Sequence, residues 1–157
     1  MKILKKLGFV VLIIFITAQF IGPDKNDGDS TSVDAFFAET NPPEDVKMIL
    51  KESCADCHSN HTRYPWYDNI TPVNYWIDEH IKDGKGHFNM SLWNDYTDNK
   101  KDHKLEELAE EVEKKEMPLP SYTWTHGDAD LSQDQIDAIV NWVNTERIKY
   151  AFLKAPQ

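Results

Sequence analysis

The hydrophobic positions of this chain form one nearly unbroken run followed by a set of spaced stripes. The run, Leu7 to Ile21 (LGFVVLIIFITAQFI), stands behind Lys2, Lys5 and Lys6, the order of a positive region and a hydrophobic core in an export signal. No pair of small residues occupies the usual cleavage offsets, since Ile16 precedes Ala18 and Phe20 precedes Gly22. Residues 1–22 therefore read as an N-terminal hydrophobic helix serving as an uncleaved anchor, with a removed signal peptide as the alternative. The run is short beside the roughly 20 residues of a spanning helix. Positive flanks hold the N-terminus in the cytoplasm and send the remainder outward. Residues 23–41, rich in Asp, Gly, Ser and Thr, lack apolar periodicity before Phe36 and Phe37 and read as a flexible tether.

Four amphipathic stripes follow at helical spacing. Asn41 and Pro42 offer a cap and a first-turn proline, after which Val46, Ile49, Leu50, Cys54 and Cys57 share one face. Pro72 can open a second helix carrying Val73, Trp76, Ile77 and Ile81 and ending near Gly84 and Gly86. The stripe Leu105, Leu108, Ala109 and Val112 predicts a third over 102–116, stopped by Pro118 and Pro120. Ser132 and Gln135 make a capping box for the last, with Leu131 and Ile136 placed as a hydrophobic staple and Ile139, Val140, Trp142 and Val143 continuing inward. No alternating β-branched run competes, so the fold class is all-α with long loops, over residues 42–153. A domain this small is short of core without a disulfide, metal or large cofactor.

Charge narrows the partners. Asp and Glu outnumber Lys and Arg 27 to 17, a net −10, and the first six residues hold three of the lysines, so the remainder is more acidic still. Nucleic acid is excluded as an expected partner. An acidic surface suits solubility and could steer a basic protein partner.

Both cysteines of the chain lie in Cys54-Ala55-Asp56-Cys57-His58, and C-x-x-C-H is the attachment pattern of c-type haem. On a helix, positions i, i+3 and i+4 share a face, so two thiols and an imidazole can meet one flat ligand: thioethers from Cys54 and Cys57, iron ligation from His58. A disulfide here closes too small a loop to contribute much. A thioredoxin-like pair wants a strand-helix-strand context, and zinc wants a second ligand pair that the rest of the chain lacks. The carbonyl of Pro65 or Pro72 could orient the His58 ring.

A sixth iron ligand remains to be found. Met117 lies beyond most of the domain, where the chain can return over the opposite haem face, and Pro118 forces it out of helical geometry. Met90 is a weaker alternative, and His80 or His87 would give bis-histidine ligation with a lower potential. His61, His103 and His126 carry no assigned ligand role. Rings such as Trp66, Tyr67, Trp76, Trp93 and Trp124 could wall a haem or simply fill a core.

The stretches CADCHSNHTRYPWY, HIKDGKGHFNMSLW and EMPLPSYTWTH, with the final helix beginning LSQDQ, resemble in order the haem-binding domain proteins of Bacteroidetes-type bacteria, related in plan to small single-haem cytochromes c. The resemblance spans about Pro43 to Val143. It implies a small cytochrome c-like helical domain with long loops around one covalent haem c, held by Cys54 and Cys57, with His58 proximal and Met117 distal. The expected role is electron transfer by Fe(II)/Fe(III) cycling, a carrier more than a catalyst. Its expected place is the periplasmic side of the inner membrane, anchored by the N-terminal segment or soluble after cleavage, with a periplasmic or membrane redox protein as partner. The alternatives are a peroxidase-like enzyme using His80, His87 or His126 as acid–base group, and a haem-based redox or gas sensor in which a ligand displaces Met117.

Overall fold

The computed structural model describes residues 2–154, short of the side chain of Lys154. Among them every regular element is helical, and the sole strand-like pairing is an isolated antiparallel bridge between Asp27 and His61. The apolar run forms α1 (Lys2–Ala18), none of whose residues is buried. No helix among the described residues is long and apolar enough to cross a membrane.

The segment expected to be a tether is instead built into the domain. A 3-10 turn at Ser30–Val33, capped by the Asp29 carboxylate on the Thr31 N–H, feeds α2 (Asp34–Thr40). Phe36 is fully buried, with its ring edge-on to Phe37, Phe88, Trp93 and Trp142. Two adjacent phenylalanines in a polar stretch were thus the visible trace of a short helix that packs through one end. Phe36→Ala should cost about 3–5 kcal/mol, the range for truncating a buried ring. Chemical denaturation measures it, and a true tether would show no loss.

Asn41 also departs from expectation. It closes α2 in the left-handed region at φ 38°, a conformation asparagine tolerates better than most residues, and α3 (Glu44–Ile49) starts from Pro43. The chain continues through a π turn at Leu50–Cys54, in which the Ala55 N–H reaches back to the Leu50 carbonyl, and then into α4 (Ala55–His58). Such a wider turn is a common device at functional positions, and here it leaves Cys54 packed against the core cluster that holds Val46, Ile49 and Leu50.

α5 (Val73–His87) takes in Gly84 and Gly86 and ends one residue beyond the pair, where the sequence predicts its end. α6 (Asp98–Glu113) begins four residues earlier than the stripe suggested, at Thr97, whose hydroxyl accepts from the Lys100 N–H. It ends where Lys115 turns left-handed at φ 59° and the Glu116 N–H returns to the Glu111 carbonyl. Pro120 opens the short α7 (Pro120–Thr123). α8 (Gln133–Lys154) carries the expected capping box: Ser132 N–H donates to Gln135 Oε1 at 2.9 Å and Gln135 N–H to Ser132 Oγ at 3.3 Å.

α6 and α8 make the most extensive helix pair, sealed inside by Leu105, Val112, Ile139 and Val143 and outside by Arg147 on Asp102 and Glu106. Trp142 ties α8 to α2 by donating Nε1–H to the Thr40 carbonyl. Trp93 and Met90, on a 3-10 segment at Met90–Asp95, fill the centre, so Met90 is a core side chain rather than one facing an open site.

Candidate functional site

α4 sits across α5, and the crossing is so close that only glycine fits. A Cβ on Gly84 would stand 2.7 Å from the Cys57 carbonyl oxygen and 3.1 Å from its Cβ. Gly84→Ala should therefore push α5 off the cysteine turn at a cost of about 1–3 kcal/mol. A thermal melt of that variant against Gly86→Ala, where the added methyl meets nothing within 4 Å, checks it.

Cys54 and Cys57 are free thiols, half-buried. Burial pushes the Cys54 thiol up to about 12, with Cys57 adding to the effect, and pushes Cys57 up to about 11, with Asp56 adding. Both are protonated at neutral pH, so neither is the low-pKa thiolate that redox exchange calls for. Among the described residues no group of three or more His, Cys, Asp and Glu is placed to hold a metal ion. Cys54 packs beside the hydrophobic core, whereas Cys57 faces a groove between α5 and α7.

His58 ends α4 with its ring inside the protein. Its Nδ1 donates to the Phe88 carbonyl at 2.9 Å, so the orienting carbonyl comes from the end of α5 and not from Pro65 or Pro72. Burial lowers the His58 pKa, against the opposing pull of the Phe88 and Gly84 carbonyls, and keeps the imidazole neutral. A neutral ring with its proton fixed on Nδ1 presents a lone pair on Nε2, the state a metal-ligating histidine needs.

The turn is locked by a residue inside it. Asp56 is buried and its carboxylate accepts the Arg63 N–H at 3.0 Å, Arg63 Nε and Nη2 at 3.1 Å each, and the Tyr122 hydroxyl at 2.9 Å. Arg63 reaches on to Glu52 Oε2 at 2.6 Å and to the Lys51 and Glu52 carbonyls, spanning the π turn. Thr62 Oγ1 donates to the Asp56 carbonyl at 2.6 Å. Burial and the adjoining Asp56 carboxylate raise the Tyr122 pKa, so the phenol remains a donor.

Apolar and aromatic groups wall the groove, chiefly Trp76, Ile77 and Ile81 from α5 and Leu119 and Tyr122 from the opposite side. His80 and His126 line it as well. Each ties Nδ1 to the carbonyl four residues back, His80 to Trp76 at 2.7 Å and His126 to Tyr122 at 3.1 Å, and His126 stacks on Tyr122 with centroids 4.1 Å apart. Met117 is half-buried against the core cluster and does not line the groove, and His87 is exposed at the end of α5. Asp56, Arg63 and Tyr122 were not singled out by sequence reasoning, which gave His126 only as an acid–base candidate and Gly84 only as a helix end. Only the place of Asp56 between the cysteines gave any signal.

An all-helical domain that sets two free thiols and a half-buried, neutral, carbonyl-anchored imidazole on one turn beside an aromatic groove has the donor chemistry of a haem-binding domain. The chain belongs to that family: the haem-binding domain matches residues 13–145, taking in the last third of α1 and the whole of the supposed tether. No curated protein and no solved structure matches the chain.

Proposed function

We propose that the protein carries one covalent haem c and transfers electrons. The observation that carries this reading is His58, neutral, half-buried and held through Nδ1 by the Phe88 carbonyl, one residue from Cys57 and four from Cys54. Cys54 and Cys57 would hold the porphyrin as thioethers, each S–H adding across one vinyl C=C so that sulfur bonds to one carbon, hydrogen to its neighbour, and no atom is lost. The iron supplies one-electron cycling, and the chain supplies axial ligation, a low-dielectric wall and an approach for a partner.

The closed part of the groove is about 60 Å³. Ordinary ligand pockets run to about 300–1,000 Å³, and neither Cys54 nor His58 lines this groove, so it would have to open for Cys54, Cys57 and His58 to hold one haem. The excess of acidic residues suits a partner with a basic docking face, and the export-like N-terminus suits the periplasmic side of the inner membrane.

Met117 is the proposed distal ligand, supported by its half-buried place two residues before Leu119 of the groove wall. The presence of His80 and His126 in the groove favours a histidine as the second reading. The test is the full chain made in a host that exports it and matures c-type cytochromes, examined by mass and by visible and near-infrared spectra. The expected result is the polypeptide mass plus one haem, a low-spin spectrum, and a sulfur-to-iron band that vanishes in Met117→Ala and survives in His80→Ala and His126→Ala. Loss of the low-spin form in either histidine variant alone would replace Met117. A high-spin resting spectrum in the unaltered protein would favour a catalyst or sensor, and bare polypeptide mass would end the reading.

A further inference from the structure

α1 is joined to the domain by a mount and not by a leash. Its foot carries Gln19, whose side-chain amide donates to the Thr71 carbonyl at 3.1 Å and accepts the Thr71 N–H at 2.9 Å, while Thr71 Oγ1 donates to the Ile21 carbonyl at 3.3 Å. The next residues are strapped along the loop that follows His58. Lys25 pairs with the buried Asp68. Asn26 bonds Ser59, Thr62 and Tyr64, and Gly28 N–H donates to the Asn60 carbonyl at 2.8 Å. A Cβ on Gly28 would come within 2.6 Å of that same oxygen.

Beyond the mount, α1 exposes apolar side chains on every side, with Phe9 to Ile16 an uninterrupted series. A helix made for a protein partner shows one apolar stripe, whereas one apolar all round belongs in a hydrophobic medium. Lys2, Lys5 and Lys6 cluster at its free end, where anionic headgroups would meet them. At about 1.5 Å per residue α1 is about 25 Å long, so it enters most of a hydrocarbon core of about 30 Å. Close to the Thr71 clamp in sequence the domain presents Trp66, which is 76% exposed, with Ile70, Tyr75 and Trp76 also exposed, all within five residues of Thr71. Tryptophan and tyrosine are enriched at the headgroup level of a bilayer.

We propose that α1 seats in a lipid bilayer and that the mount holds the face of Trp66, Ile70, Tyr75 and Trp76 against the headgroup layer. Trp76 also walls the groove, so the groove is kept at a fixed height beside the membrane. This inference does not depend on the haem reading, since vesicle binding and side-chain protection are measured whether or not pigment is attached.

The test uses the full chain in vesicles of phosphatidylethanolamine and phosphatidylglycerol, with hydroxyl-radical oxidation read by mass spectrometry. Met48 serves as internal reference, being exposed on α3, which packs on α8 and not on α5. Two variants loosen the mount without touching the core: Gln19→Ala, and Gln19→Ala with a Gly-Ser-Gly-Ser insert between Ile21 and Gly22. In the unaltered chain Trp66, Tyr75 and Trp76 should oxidise slowly relative to Met48. Both variants should still float with the vesicles, while oxidation at the three rings rises roughly fivefold as the hydrogen-bonded clamp is lost. Equal protection in all three proteins, no protection in any, self-association of α1 in place of vesicle binding, or isolation of the chain from cells without residues 1–18 would each overturn the proposal.

Discussion

Full-length protein carrying Cys54→Ser and Cys57→Ser together will leave an export-competent host with the mass of the bare polypeptide, while His58→Ala will keep its pigment but lose the spectrum of six-coordinate iron. The two outcomes separate because bond formation belongs to sulfur and ligation to the imidazole. Cys57 faces the groove and Cys54 the core edge, so the single variants are also informative. Each should retain one thioether, gain the same single-haem mass and keep its haem through denaturation and acetone extraction. A glutamine side-chain amide can serve the Phe88 carbonyl that the His58 Nδ1–H serves, so His58→Gln should fold before loading. The checks are intact mass, acetone extraction and visible spectra. Pigment retained after loss of both thiols would remove covalent attachment and leave only haem binding.

Asp56→Ala should lower the melting temperature by about 6–12 °C. The carboxylate is buried and serves four donors, three from Arg63 and one from Tyr122. Removing it strands the Tyr122 hydroxyl and the Arg63 backbone N–H. The Arg63 guanidinium is half-exposed and keeps Glu52, which tempers the loss. A charged acceptor of several hydrogen bonds at such a site is worth about 3 kcal/mol, and a domain of this size shifts by about 2–4 °C per kcal/mol. Asp56→Asn keeps one carbonyl acceptor and should lose about half as much. Tyr122→Phe deletes the α7 contact alone and should cost about 1 kcal/mol, with Tyr122 no longer held at the groove wall. Circular dichroism melts of the three variants measure the series. A shift within about 2 °C for Asp56→Ala would show that the carboxylate does not lock the turn.

The pattern of residues was a good guide wherever structure is made locally. The capping box of α8 and the inward stripe of α6 lie where the spacing puts them, because a cap or a stripe is satisfied by neighbours three and four positions away. Gly84 and Gly86 mark the end of α5 as their spacing predicts, but that spacing gives no sign that Gly84 is also needed for the close approach of the Cys57 backbone. The polar stretch 23–41 misled outright. Its hydrogen bonds run to residues more than thirty positions away, and the two phenylalanines it buries are too few to show a period.

What the sequence by itself determined is the donor set and the fold class: two thiols and an imidazole in one C-x-x-C-H turn, on a chain whose apolar spacing is helical throughout. Those properties are carried by residue identity and short-range periodicity. Only the tertiary structure decided that Phe88 anchors the His58 ring, that Asp56, Arg63 and Tyr122 lock the turn, that His80 and His126 share the groove with Cys57 while Met117 packs at the core, and that residues 19–28 fix α1 to the loop beyond the motif. Each of these joins groups far apart in the chain, and such contacts depend on how whole helices pack, which spacing along one segment does not encode.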